Sequence, residues 1–385
     1  MQQDGSSRIR ARITERIEQR VVATAAPAVK YVHAVRPKEA TGLVAEVYAQ
    51  LAEDFQITSP LVLHSPVPRL LAAVWCALRE TLVAGRVPRA HKEAIATGVS
   101  HANGCPYCVA VHAMMLHGTD ETSAAEALLV GETDGIADHR LRDLARWASR
   151  TLAPKDPLLA EPPFAALDEA EIVGTAVAFH YINRMVNVFL GESPVPGRRR
   201  LLGGVVRRFL GVTFGRRLVM RTPSPGASLR LLPESPIPAD LSWATSNSFV
   251  AGALARVAAA ADEAGRAALP DRVRELVSNR IAAWQGEAPG VSRAWVTRDI
   301  ASLGDADQPL AALALLVALA PFQVDSSVIA AFRARRVTDQ DLVGAAGWAA
   351  FTAARRVGRW LASATAAGMT GSAMTPSLDY TRGQG

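Results

Sequence analysis

Apolar residues recur at helical spacing along most of the chain. Between Thr41 and Phe55, the positions Leu43, Val44, Val47, Tyr48 and Leu51 fall on one helix face. Ser59 to Pro68 predicts a proline-bearing loop, and Leu70 to Val83 an apolar helix broken at Gly85 to Pro88. Pro88 suits the start of the next helix, which runs towards Asn103 before Gly104 interrupts it. Pro106 suits the first turn of a further helix. Later helices are predicted over 120–131, 138–152 and 167–190, the last with Asp168 as N-cap and Glu171 in an acidic first turn. A charged helix is predicted over 8–26. No run alternates well enough to predict a sheet, so the fold class is all-α.

Residues 191–243 break the pattern. They carry Pro194, Pro196, Pro223, Pro225, Pro233, Pro236 and Pro238, and predict a connector with one basic amphipathic helix over about 198–221. Helical patterning resumes near Ser246 and persists to about Ser363, and the small, polar residues 366–385 predict a disordered tail. The second stretch echoes the first. At an offset of 182, Pro88 falls on Pro270, Glu93 on Glu275, Val99 on Ile281 and Gly104 on Gly286. Phe179 and Arg184 pair with Phe351 and Arg356 in a shifted register. The chain therefore reads as an N-terminal extension (1–39), a helical domain (40–190), the connector (191–243), a degenerate tandem repeat (244–365) and the tail (366–385).

Composition narrows the class. Apolar residues make up 49% and charged residues 20%, enough for a substantial core, and aromatics only 6%. The formal charge is +6, and all but four of the 42 basic residues are Arg. From Arg198 to Arg221 no acidic residue interrupts the arginines. That stretch permits a membrane-surface helix or a nucleic-acid patch, but a solvated connector is the favoured reading. The first twenty residues have no apolar stretch of signal-peptide type, and the apolar run Leu310 to Phe322 is too short to span a bilayer. The expected compartment is the cytoplasm. Three cysteines, Cys76, Cys105 and Cys108, make no disulfide scaffold, and a close pair in a reducing compartment points to catalysis or metal binding.

The chemistry concentrates in Glu93-Ala-Ile-Ala-Thr-Gly-Val-Ser-His-Ala-Asn-Gly-Cys105-Pro-Tyr-Cys108-Val-Ala-Val-His112. A Cys-x-x-Cys at a helix start puts sulfur near unpaired backbone N–H groups, which favour a thiolate and lower its pKa. Cys108 and His112 are four apart and share one helix face, so the imidazole can take or return a thiol proton. Glu93, twelve residues before Cys105, reaches the same cluster if the two helices pack antiparallel across Gly104. Zinc ligation by the two cysteines, His112 and Glu93 is the competing reading. Cys76, beside Trp75, reads as core; His101 and Asn103 read as structural; His180 is a further candidate for touching the site; Glu275 reads as a solvated carboxylate.

This segment resembles the motif of the AhpD-like (alkylhydroperoxidase D-like) and carboxymuconolactone decarboxylase superfamily: a Glu, eleven residues, then Cys-x-x-Cys-x-x-x-His. The resemblance extends over about 40–190 and includes Phe179-His-Tyr-Ile-Asn-Arg184. It implies an all-helical AhpD-like bundle and a homo-oligomer built on threes or sixes. It implies that Cys108 attacks a hydroperoxide, that Cys105 resolves it as a disulfide, and that Glu93 and His112 relay protons. It implies no cofactor or metal, but an external thiol reductant. Where the best-known peroxidase members carry a second His, this chain has Tyr107. A lactone decarboxylase is the second enzymatic reading, and the intact cysteine pair argues against it. A non-catalytic helical scaffold acting through the basic connector is the third.

Overall fold

The structure, a computed structural model, describes residues 29–119, 121–191 and 222–372. The predicted helices over 8–26 and 198–221 lie outside these residues. Within them the chain is all-α, and the recorded β-type contact is an isolated antiparallel bridge between Val29 and Leu190. The first half holds α1 (Gly42–Asp54), α2 (Ser59–Val62), α3 (Pro68–Leu78), α4 (Arg89–Ala102) and α5 (Pro106–His117). It continues with α6 (Thr122–Leu129), α7 (His139–Ser149), α8 (Pro157–Ala160) and α9 (Ala166–Phe189). The second half holds α10 (Ser248–Ala268), α11 (Asp271–Ala283), α12 (Ala294–Asp299), α13 (Gln308–Leu319), α14 (Ser326–Arg333) and α15 (Asp339–Ser372). Among the described residues no helix is long and apolar enough to cross a membrane.

Three expectations change. Helix α9 begins ahead of Asp168, with Ala165 as N-cap, because Asp168 is taken by Arg140 at 2.8 Å and Arg86 at 3.1 Å. Helix α15 runs on to Ser372, past the expected start of the tail, through an Ala-rich stretch of high helix propensity. Residues 222–246 are more than a connector: two 3₁₀ turns, Leu229–Leu231 and Ala239–Ser246, accompany the burial of Ser228, Leu241 and Ala244.

One apolar core runs through both halves. It is continuous because α3 packs on α10, and α9 on α15. Helix α4 lies against α5, α7 and α9. Its approach to α7 requires Gly98, where a Cβ would meet the Ala145 carbonyl oxygen at 2.7 Å. The loop before α4 turns at Gly85, φ +107°, over the Glu171 carboxylate. That carboxylate accepts the backbone N–H groups of Arg86 and Val87 at 3.0 and 3.1 Å and pairs with Lys92 Nζ at 2.6 Å. Every partner of this buried pair is hydrogen-bonded, so the start of α4 is tied firmly to α9.

Candidate active site

Helix α5 begins at Cys105 as N-cap, with Pro106 in its first turn. The turn before it is held from both sides. The Cys105 N–H donates to the Ser100 carbonyl at 2.9 Å, and Asn187 Nδ2 donates to the Asn103 carbonyl at 3.2 Å. Gly104, φ +56°, supplies the left-handed step between the helices. Cys105 and Cys108 are buried free thiols. The expected lowering of the Cys108 pKa is reversed: burial, and then Cys105, push the thiol well above its ordinary range. Lost hydration outweighs the partial charge of a helix N-terminus. Asn183 on α9 acts in the opposite direction.

Glu93 and His112 do come together across the helices. His112 Nδ1 donates to Glu93 Oε2 at 2.6 Å, since an ionised carboxylate can only accept. The other oxygen, Oε1, accepts from Arg89 Nε at 2.6 Å, one turn earlier on α4. Burial opposes the Glu93 charge, but Arg89 and His112 outweigh it and hold the carboxyl below its ordinary range. The Arg89 guanidinium also lies 5.6 Å from the centre of the Phe55 ring. Phe179 supports the His112 ring edge-on, with centroids 4.5 Å apart.

An apolar cavity of about 60 Å³ opens onto this cluster. Cys108 and His112 line it with Tyr107, Phe55, Trp75 and Phe179, whereas Cys105 does not. Leu82 and Val83 of a π-helical turn, Arg79–Val83, form part of the wall. The sulfur open to a small molecule is therefore that of Cys108. Glu93 has committed both oxygens, and among the described residues no group of three or more His, Cys, Asp or Glu is arranged to hold a metal ion.

The remaining candidates separate cleanly. His180 bonds to Thr151 Oγ1 at 2.9 Å and to the Asn103 amide at 2.9 Å, and is not among the residues lining the cavity. His101 Nε2 donates to the Leu128 carbonyl at 2.6 Å, a structural role. Cys76 donates to the Ser228 carbonyl, and burial pushes its thiol up to about 12. Glu275 is exposed. One residue was not foreseen: Arg89, whose four-residue spacing to Glu93 was a readable signal.

The family model described as the carboxymuconolactone decarboxylase family matches residues 69–149. That stretch contains Glu93, Cys105, Cys108 and His112. The chain is also 40% identical over 338 residues to an alkyl hydroperoxide reductase of Mycobacterium tuberculosis, a match covering 87% of this chain and 96% of that protein.

Proposed function

Because the chain belongs to the carboxymuconolactone decarboxylase family, of the AhpD-like type, we propose that it is a cysteine peroxidase that reduces alkyl hydroperoxides with electrons from an external thiol. The observation that carries this reading is the Glu93–His112 pair, bound at 2.6 Å beside the one thiol of the pair that lines the cavity. The apolar lining favours an organic hydroperoxide.

The steps follow from the positions of the groups. Glu93 fixes the His112 tautomer by accepting a hydrogen bond from the Nδ1–H, which leaves Nε2 as the base for the Cys108 thiol. The Cys108 thiolate attacks the terminal peroxide oxygen, the O–O bond breaks, and the departing alkoxide takes the proton back from His112 as an alcohol. Cys108 is left as a sulfenic acid. The Cys105 thiol condenses with it, forming the disulfide and releasing water. Two equivalents of an external thiol then reduce the disulfide by exchange. We further infer a homo-oligomer, a trimer first; sedimentation showing only monomer at micromolar concentration overturns that part.

Turnover of an organic hydroperoxide with several thiol donors, beside the Cys108→Ser variant, tests the reading. Turnover that the variant lacks, with one reversible disulfide by mass spectrometry, supports it. Both thiols unmodified after peroxide, or both holding zinc, overturns it.

A further inference from the structure

Arg89 stands where helix physics does not favour it. It is the first residue of α4, next to the Pro88 N-cap, where the helix dipole repels a cation. It also precedes its partner Glu93 by four residues, the weaker order for such a pair. Its side chain is nevertheless only 9% exposed, against 0% for Glu93. The bond between them, from Nε to Oε1, is 2.6 Å long. Both terminal nitrogens, Nη1 and Nη2, are buried and bond nothing among the described residues. The ring of Phe55 lies 5.6 Å from the guanidinium carbon. An arginine kept for a fork-shaped ion pair would use those donors. Arg89 commits one N–H, and commits it to Glu93.

The consequence is a proton count. Glu93 Oε2 accepts from His112 Nδ1 at 2.6 Å, while Oε1 faces the guanidinium. Carboxylate and guanidinium cancel, so the pair needs no further proton. Without the cation, a fully buried carboxylate would stand uncompensated, and the pair would take up one proton. If that proton goes to the imidazole, Nε2 carries it. If it goes to the carboxyl, the new O–H donates to Nδ1, and the imidazole hydrogen moves to Nε2. On either route Nε2 is no longer a base. The neighbouring cations are committed elsewhere. Lys92, next along α4, pairs with Glu171 of α9 at 2.6 Å and donates to the Ala84 carbonyl at 2.6 Å. Arg140 of α7 pairs with Asp168 at 2.8 Å. The charges that act on Glu93 are those of Arg89 and, from α5, His112.

We propose that Arg89 is the positioning residue that sets the proton count of the Glu93–His112 pair and so keeps His112 Nε2 bare as the base for Cys108. It acts through Glu93. The use made of that base rests on the thiol chemistry proposed above; the protonation state of the pair does not.

The test reads the imidazole without any peroxide. Nitrogen NMR of isotope-labelled histidines, with the His112 signals assigned by their loss in His112→Asn, distinguishes a bare Nε2 from a protonated one. The unaltered protein should show it bare at neutral pH. Arg89→Gln removes the charge, and Arg89→Met takes its place if the first variant does not fold. In the folded variant Nε2 should carry a proton at neutral pH, and iodoacetamide alkylation of Cys108, followed by peptide mass spectrometry, should slow about tenfold or more. Arg89→Lys returns a cation and should restore the bare Nε2 and most of the rate, which a loss of packing alone does not predict. A bare Nε2 in the folded charge-free variant, or a protonated Nε2 in the unaltered protein, overturns the proposal. The expected change at Nε2 in a protein that turns over no hydroperoxide keeps the proposal and defeats the peroxidase reading. Hydroperoxide turnover in a protein whose Nε2 stays bare in the charge-free variant does the reverse.

Discussion

Helices α4 and α11 follow a proline N-cap, Pro88 and Pro270, and each leads to a glycine at positive φ, Gly104 and Gly286. Beyond that they diverge. From Lys92 to Ser100 every residue of α4 is buried, whereas α11 buries Val273, Val277 and Ile281, a single stripe at helical spacing. The helix after α4 is α5, twelve residues long and carrying Cys108 and His112; the one after α11 is α12, six residues long. Glu93 is therefore enclosed and partnered, and Glu275 faces solvent. A helix can keep its place in a core with one buried stripe. A proton relay needs cover on several faces, because only a desolvated carboxylate is held firmly by the partners around it.

The largest effect that tests this contrast is at the sulfur. Cys108→Ser should drop hydroperoxide turnover to background, while its offset counterpart, Gly290, lies in a loop and carries no reactive group. Next comes the carboxylate pair. Glu93→Gln should slow turnover by about 10² to 10⁴, the usual size of a lost acid–base group, and Glu275→Gln should leave it unchanged. Equal effects in steady-state kinetics would break the comparison. Packing gives a third test. Gly98→Ala forces a methyl against the Ala145 carbonyl and should cost about 1–3 kcal/mol in urea unfolding. Its counterpart Arg280, half-buried and paired with Asp299, should cost about 0.5 kcal/mol or less as Ala.

The last contrast is in acid stability. All eight histidines precede residue 181, so the second half has none. Burial holds His64 down at about 4, and His180 well below the ordinary 6.5. Both are depressed bases. As pH falls below 6.5 the unfolded chain binds protons that the folded chain does not, and stability is lost towards pH 4. The slope should reach about 1.4 kcal/mol per pH unit for each histidine, with amide exchange rising first in the first half. Unfolding midpoints that stay level between neutral pH and pH 4 would refute this.

Much of this protein was legible from local rules. Helix periodicity and the prolines Pro88 and Pro106 marked where helices start, because both act over a few residues. The spacing of Cys105, Cys108 and His112 placed the last two on one helix face for the same reason. Tertiary structure decided the rest. It brought Glu93 onto His112, gave Arg89 to the other carboxylate oxygen, and turned the His180 ring to Asn103 and Thr151. It also reversed the expected direction of the Cys108 pKa. Desolvation and long-range hydrogen bonding depend on which elements cover a group, and no spacing along one helix carries that information.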